Sequence, residues 1–180
     1  MSFPSAFRNT VGMEGRYSNN LNDSGGETMF GITSRVARAN GYAGAMDQMP
    51  IDTARMIYKS QYWDLLKLDN IVSLSERVAD ELFDTAVNCG VGVAGEFFQR
   101  MLNVLNLKGT LYADMKVDGI VGPVTVAAFR AFLGRRGMQG EAVMLKALNC
   151  LQGARYAELA EKREKDEEFV YGWLLNRVAL

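Results

Sequence analysis

The chain has 180 residues, 48% of them apolar and 23% charged, enough for one sizeable core or two small lobes. Its net charge of −1 gives no electrostatic reason to bind nucleic acid or an anionic membrane. Because the sequence contains no histidine, it excludes Ser-His and Cys-His nucleophile systems and disfavours a catalytic zinc site. Any hydrolysis must therefore rely on carboxylates, hydroxyls and amides.

No segment of the sequence predicts export or membrane insertion. No apolar run is long enough to span a bilayer, and residues 1–15 lack the basic and apolar regions of a signal peptide. We therefore expect a cytoplasmic protein without membrane insertion. Cys89 and Cys150 are expected to be reduced and mostly buried thiols.

Apolar residues at helical spacing predict a mainly α protein. A first helix carries Phe3, Phe7 and Val11 on one side and ends near residues 12–15. Residues 16–32 are rich in Gly, Asn, Asp and Ser, which predicts a loop or a small irregular hairpin. No alternating strand pattern of any length appears elsewhere.

Two helices are predicted after this loop. Thr33 or Ser34 is expected to cap a short helix, and Asp52 begins a longer one. The apolar side of the longer helix contains five residues: Ala54, Ile57, Tyr58, Tyr62 and Leu65. The rings of this segment are expected to lie mostly in the core, with one of them exposed.

The remainder of the sequence also predicts helices. Ser73 and Glu76 have the spacing of a capping box and open the next helix, whereas Pro123 suits the first turn of a later one. The longest periodic pattern, residues 141–166, places five residues on one side: Val143, Ala147, Leu151, Ala154 and Leu159. Residues 167–180 predict a last apolar helix, docked into the core.

The chemistry is expected in the polar stretch of residues 14–33, because scaffolds carry function on loops. This stretch reads EGRYSNNLNDSGGETMFGIT. The candidate groups in it are two of its acids, one hydroxyl and two aromatic rings: Glu14, Asp23, Thr28, Tyr17 and Phe30.

This loop resembles the catalytic signature of the glycoside hydrolase family 108 N-acetylmuramidases, found in phage endolysins and in proteins once labelled secretion activators. The family's usual Glu-Gly-Gly reads Glu14-Gly15-Arg16 here, so one glycine is replaced by an arginine. Three further segments agree with the family: YKSQYWD at 58–64, FDTAVNCG at 83–90 and GWLLNRV at 172–178. The segment VDGIVGPVTVAAF at 117–129 resembles the family's predicted peptidoglycan-binding helical domain.

The resemblance implies a lysozyme-like helical catalytic lobe at 1–92, packed on a peptidoglycan-binding-like helical lobe at 93–180 as one compact unit. It implies hydrolysis of the β-1,4 bond between N-acetylmuramic acid and N-acetylglucosamine in bacterial peptidoglycan, without cofactor or metal. An endolysin of this kind is expected to be a monomer. It would stay in the host cytoplasm until a holin opens the membrane.

Glycosidic cleavage needs a carboxylic acid to protonate the leaving oxygen and usually a second carboxylate. Glu14 is the predicted general acid, because apolar walls such as Tyr17 and Phe30 would keep its carboxyl protonated near neutral pH. By resemblance to phage lysozymes, Asp23 would orient or deprotonate the water, and Thr28 would help to position it.

These loop assignments have structural alternatives. The residues around Asp23 also suit a tight turn, and the Thr28 hydroxyl could instead bond the loop backbone. Glu27 is a rival second carboxylate, ranked below Asp23 because it adjoins Thr28 and can point the opposite way.

Two further residues are candidates for sugar contact. Asn88 shares a helix face with Asp84 and could bond a sugar amide or hydroxyl, whereas a structural role suits Asp84 better. The ring of Tyr62 could serve as a sugar platform. Two other functions remain open: a lytic transglycosylase that uses Glu14 alone, and a peptidoglycan-binding module without enzymatic activity.

Overall fold

The computed structural model describes residues 3–12, 17–19 and 26–178. Its contacts divide the chain into two compact units, Met1–Asp64 and Leu65–Leu180. The described residues are mainly α-helical, as the sequence predicts, and they contain one small antiparallel sheet.

The described residues of the first unit form three helices and a hairpin. The helices are α1 (Phe3–Val11), α2 (Ser34–Ala39) and α3 (Ile51–Tyr58). The hairpin strands are β1 (Thr28–Met29) and β2 (Ile32–Thr33). A 3-10 turn at Met46–Gln48 precedes α3, and a π-helical turn at Lys59–Trp63 follows it. Thr33 caps α2 as predicted, because its Oγ1 accepts a hydrogen bond from the Val36 N–H at 3.3 Å.

Aromatic rings hold α1 against α3 and the π-helical turn. Phe7 packs edge-on against Tyr58 with ring centres 5.4 Å apart, and Phe3 packs in the same way against Trp63, also at 5.4 Å. Phe7 and Trp63 are almost completely buried. Edge-to-face geometry adds favourable electrostatics to this burial, so these rings are the centre of the first unit's core.

The apolar side predicted for the helix after Asp52 is partly wrong, because α3 continues into a π-helical turn. Ala54, Ile57 and Tyr58 are buried as expected, and Trp63 is buried like most rings of this segment, but Leu65 is 54% exposed. A π-helical turn contains more residues than an α-helical turn, so it shifts every later residue around the helix axis.

Between residues 65 and 178, the described part of the second unit, the structure has five α-helices: α4 (Leu68–Val72), α5 (Glu76–Cys89), α6 (Val91–Val104), α7 (Pro123–Lys162) and α8 (Glu167–Arg177). Helix α5 packs against α4, α6 and α7. Phe98 of α6 and Phe129 of α7 meet edge-on with ring centres 5.1 Å apart. Gly137 interrupts α7 with φ 56° and ψ −146°, which separates the two helical patterns that the sequence predicts there.

The cap of α5 differs from the prediction. Ser75, rather than Ser73, accepts the Val78 N–H on its Oγ, at 3.1 Å. The Ser73 hydroxyl instead donates to the Asn70 carbonyl at the end of α4. The capping-box spacing therefore pointed to the wrong serine, because α4 ends inside the same short segment.

The predicted buried side of residues 141–166 is displaced by one position. Val143 is 48% exposed, whereas Met144 is fully buried. The buried positions of α7 in this range are Met144, Leu148, Asn149, Gln152, Tyr156 and Ala160. Hydrophobic periodicity missed this face because a glutamine occupies its centre.

The prediction that the last helix docks into the core is wrong. No described residue of α8 is fully buried, and Phe169, Tyr171 and Leu175 are exposed. The helix lies on α7 through Trp173, whose ring centre is 5.3 Å from that of Tyr156.

A close backbone contact joins α6 to the turn before α7. A Cβ atom added to Gly95 would lie 2.1 Å from the Gly119 carbonyl oxygen. The buried Gln99 side chain bonds the same turn, accepting the Gly119 N–H at 2.9 Å and donating to the Ile120 carbonyl at 3.0 Å. A further bond, donated by Gln99 to the Asp118 carboxylate, holds the pKa of that group below its usual range. Residues 118–122 are thus a turn that leads into a helix, as predicted.

We expect Gly95→Ala to lower the free energy of unfolding by about 2 to 3 kcal/mol, because the added methyl overlaps main-chain atoms that no side-chain rotation can move. Urea unfolding measures this change. Gly134→Ala, at an open position within α7, is the matched control and should be neutral or slightly stabilising. Equal stabilities of the two variants would contradict the contact.

Candidate active site

The hairpin that follows the predicted acids has a constrained turn. Thr28 pairs with Thr33 and Met29 with Ile32, which leaves Phe30 and Gly31 as a two-residue turn. Both turn residues have positive φ, 53° and 75°, as a type I′ turn requires. The Tyr58 hydroxyl donates a buried hydrogen bond of 3.0 Å to the Phe30 carbonyl. Helix α3 therefore holds the turn in place.

A β-bridge joins Ser18, which follows Tyr17, to Thr28 in the first strand of the hairpin. The Ser18 N–H donates to the Thr28 carbonyl at 2.9 Å, and the Thr28 N–H donates to the Ser18 carbonyl at 2.8 Å. The Thr28 hydroxyl donates to the Gly26 carbonyl at 3.2 Å, which is the backbone role considered as its alternative. Glu14 and Asp23 lie outside the described residues, as does Arg16.

Glu27, the alternative second carboxylate of the loop, has a hydrogen-bond partner. The Tyr17 hydroxyl donates to Glu27 Oε1 at 2.7 Å. This bond is the main reason that the pKa of Tyr17 is raised. The Tyr17 ring remains 40% exposed. The loop therefore presents an aromatic surface while it engages Glu27.

The other predicted sugar contacts of the first unit differ in exposure. Phe30 is only 9% exposed, so little of its ring is left for a sugar to contact. Tyr62 stacks on Tyr58 with ring centres 5.4 Å apart and stays partly exposed. Partial burial raises the pKa of Tyr62. Tyr62 is thus the least buried of the three rings in this segment, because Tyr58 and Trp63 are buried.

Asp84, the acid of the FDTAVNCG segment for which a structural role was predicted, links α5, α7 and α8 of the second unit. The Asp84 carboxylate of α5 accepts hydrogen bonds from Gln152 of α7 at 2.9 Å and from Arg177 of α8 at 2.8 Å. The Asn88 Nδ2 donates to the Asp84 backbone carbonyl at 2.8 Å and not to its carboxylate. Two family-like segments, FDTAVNCG and GWLLNRV, therefore meet through the Asp84–Arg177 ion pair.

A second acid beside Asp84 escaped the sequence analysis. Burial is the main reason that the pKa of Glu81 is raised from 4.5 to about 7, and the Asp84 carboxylate adds to this shift. A hydrogen bond from Asn149 opposes the shift. No local pattern marks Glu81 as buried, and Asn149 comes from α7, far along the chain.

The cysteines are partly as expected. Both are free thiols, but Cys150 is exposed, which corrects the prediction that both are mostly buried. Cys89 is partly buried beside the Asp84 cluster, and this burial raises its thiol pKa to about 11. A thiol with so high a pKa is a poor nucleophile near neutral pH.

We expect Glu81→Gln to stabilise the fold above neutral pH. Between pH 4.5 and about 7 the folded chain keeps a proton on Glu81 that the unfolded chain releases, so wild-type stability falls as the pH rises through this window. The variant lacks this loss, a gain on the order of 2 kcal/mol at about pH 8 that disappears near pH 4.5.

Urea unfolding at both pH values measures the gain from Glu81→Gln. The exposed Glu96 of α6 supplies the control Glu96→Gln, for which we expect little change at either pH. A Glu81→Gln gain that is equal at both pH values would contradict the proton linkage.

Metal and membrane features are not evident in the described residues. Within them, no group of three or more Cys, Asp or Glu residues is placed to hold a metal ion. None of their helices combines the length and apolarity that crossing a bilayer requires.

Comparison with known proteins identifies the two halves of the chain. Residues 7–90 match the family Glycosyl hydrolase 108, and residues 93–178 match the family Predicted Peptidoglycan domain. The structure is similar to that of SagA from Brucella abortus, with a TM-score of 0.61 and 20% sequence identity over 99% of this chain and 96% of SagA. That likeness concerns the fold. None of the curated proteins in the comparison matches the chain.

The mainly helical fold and the two matched regions define a glycoside hydrolase with a C-terminal peptidoglycan domain. Within that class, residues 7–90 belong to the glycosyl hydrolase 108 family. The match supports a peptidoglycan-hydrolysing activity of the muramidase type. The two matched regions meet near residue 91, whereas the compact units divide after Asp64, because α5 packs with α6 and α7.

Proposed function

We propose that the chain is an N-acetylmuramidase (a lysozyme) that hydrolyses the β-1,4 bond between N-acetylmuramic acid and N-acetylglucosamine. Glu14 donates the proton to the leaving oxygen, Asp23 orients or deprotonates the attacking water, and Thr28 helps to position that water. The observation that carries the proposal is the glycosyl hydrolase 108 match, because residues 7–90 include all three.

The described part of the loop supports the choice between the two candidate second carboxylates. Glu27 already accepts the Tyr17 hydroxyl at 2.7 Å. This bond already engages one of the two carboxylate oxygens of Glu27, which leaves fewer acceptor positions for a water. We therefore assign the second role to Asp23.

The hydrogen bond of Thr28 is compatible with water positioning. Its hydroxyl donates to the Gly26 carbonyl, and a hydroxyl that donates one bond still has lone pairs that can accept another. A water that donates to Thr28 Oγ1 would have its own lone pairs free for attack. The same bond thus orients the Thr28 oxygen.

Three of the predicted sugar contacts keep suitable groups. Tyr17 and Tyr62 have partly exposed rings, which sugars favour as stacking surfaces. Asn88 uses one N–H for the Asp84 carbonyl, and its Oδ1 and second N–H can bond a sugar. We propose these three as glycan contacts and assign Phe30 to the packing of the hairpin turn.

The cellular role proposed with this activity is that of a phage endolysin. The protein acts as a monomer and remains in the host cytoplasm until a holin opens the membrane. This role follows the resemblance of the Glu14 loop to endolysins, and the peptidoglycan domain at residues 93–178 supplies binding to the glycan strand.

Mass spectrometry of digested, purified peptidoglycan tests the proposed reaction. Fragments that end in reducing N-acetylmuramic acid are the expected products. Anhydro-muramic ends would identify a lytic transglycosylase, and the absence of released fragments would indicate a binding module. Either of these two results would overturn the hydrolytic assignment.

A further inference from the structure

The second unit contains an open groove of about 470 Å³ between the start of α4 and the first turns of α7. Its lining includes Lys67, Asn70, Pro123, Val126, Ala127 and Arg130. None of the lining residues is acidic. The groove therefore combines a small apolar surface with two cationic side chains.

The two cations are available to a ligand. Lys67 and Arg130 are exposed, and neither forms an ion pair with any residue that the structure describes. By contrast, Arg155, Arg163 and Arg177 of the same unit each pair with an acid. Two unpaired cations beside one cavity, in a chain with net charge −1, favour an anionic ligand.

The apolar lining limits the kind of anion. Pro123, Val126 and Ala127 offer aliphatic surface suited to methyl-sized groups, and the Asn70 side-chain amide is able to donate or accept hydrogen bonds. A fully hydrated anion would gain nothing from the aliphatic residues. A ligand with a carboxylate next to methyl groups can bind the two cationic side chains and also contact the aliphatic surface of the groove.

We propose that this groove binds the carboxyl-terminal end of an alanine-containing peptide stem of peptidoglycan. The proposal rests on the proposed function, since peptidoglycan is the polymer that supplies such stems. Where a stem is attached, the lactyl group of muramic acid is an uncharged amide, so the carboxylates belong to the stem. Lys67 and Arg130 would bind the terminal carboxylate, and Val126 and Ala127 would contact the alanine methyls.

Calorimetry with a synthetic stem peptide that ends in D-alanine tests the groove. The wild type should bind the free acid about tenfold more tightly than the same peptide with a C-terminal amide, because charge-assisted bonds are lost. The double variant Lys67→Gln/Arg130→Gln should lose this preference. The control Arg135→Gln/Lys146→Gln removes two exposed cations of α7 that do not line the groove, and it should retain the preference.

Several results would overturn the proposal. One is equal binding of acid and amide by the wild type, and another is an unchanged preference in the groove variant. Displacement of the peptide by inorganic phosphate at equal concentration would assign the groove to a phosphate polymer instead. Because the peptide is bound and not cleaved, this measurement is independent of the product analysis, so failure of the muramidase proposal and failure of the groove proposal remain distinguishable.

Discussion

Glu14→Gln should abolish wall degradation and leave the fold intact. The leaving sugar oxygen needs a proton as the glycosidic bond breaks, and a glutamine amide has no proton to give at neutral pH. A positioned acid is worth about a hundredfold to ten-thousandfold in rate. The release of reducing ends from purified peptidoglycan, followed over time, measures the loss.

The matched control for Glu14→Gln is Glu27→Gln, the same substitution in the same loop. It weakens the bond to Tyr17 but removes no predicted catalytic group, so we expect a much smaller loss of rate. Thermal unfolding of both variants should resemble that of the wild type. Near-normal turnover by Glu14→Gln would remove Glu14 as the general acid.

Asp23→Asn should lower the rate by about a hundredfold or more while leaving substrate binding largely unchanged. In a hydrolytic reaction the second carboxylate orients or deprotonates the water, and an amide is far less basic. The loss should appear in kcat, because the interaction is needed in the transition state more than in the bound substrate. Steady-state kinetics on soluble glycan fragments measures it.

Two comparisons decide how an Asp23→Asn result is interpreted. Asp47→Asn, at an exposed acid of the first unit, should leave the rate near that of the wild type. A larger loss in Glu27→Gln than in Asp23→Asn would transfer the second role to Glu27. Little loss in either variant, together with anhydro products, would support the transglycosylase alternative, which needs Glu14 alone.

The helices and the hairpin could be predicted from the sequence because their signals are local. Helical spacing of apolar residues, Pro123 at a helix start and Thr33 at a cap each act within a few residues. The hairpin was expected from the polar composition of residues 16–32, and its turn at Phe30 and Gly31 was not. That turn depends on the hydroxyl of Tyr58, which comes from a separate helix.

The failed predictions concern register and burial. One π-helical turn shifted the apolar side after Asp52, and a polar residue at the centre of a buried face displaced the predicted side of α7 by one position. In both cases the periodicity was present, but a small offset changed which side chains are buried. The exposure of α8 belongs to the same kind of error, since apolar composition does not show whether another element covers a helix.

The sequence alone determined the mainly helical class, the lack of histidine for any nucleophile system and the family resemblance, because these depend on composition and on motifs continuous along the chain. Only the tertiary structure decided that Glu27 is engaged by Tyr17, that Asp84 joins three helices, and that Lys67 and Arg130 share a groove. The reason is distance along the chain: Asp84 meets Arg177 across 93 positions. Local patterns carry no record of such partners, and it is these partners that set the charge and exposure of each side chain.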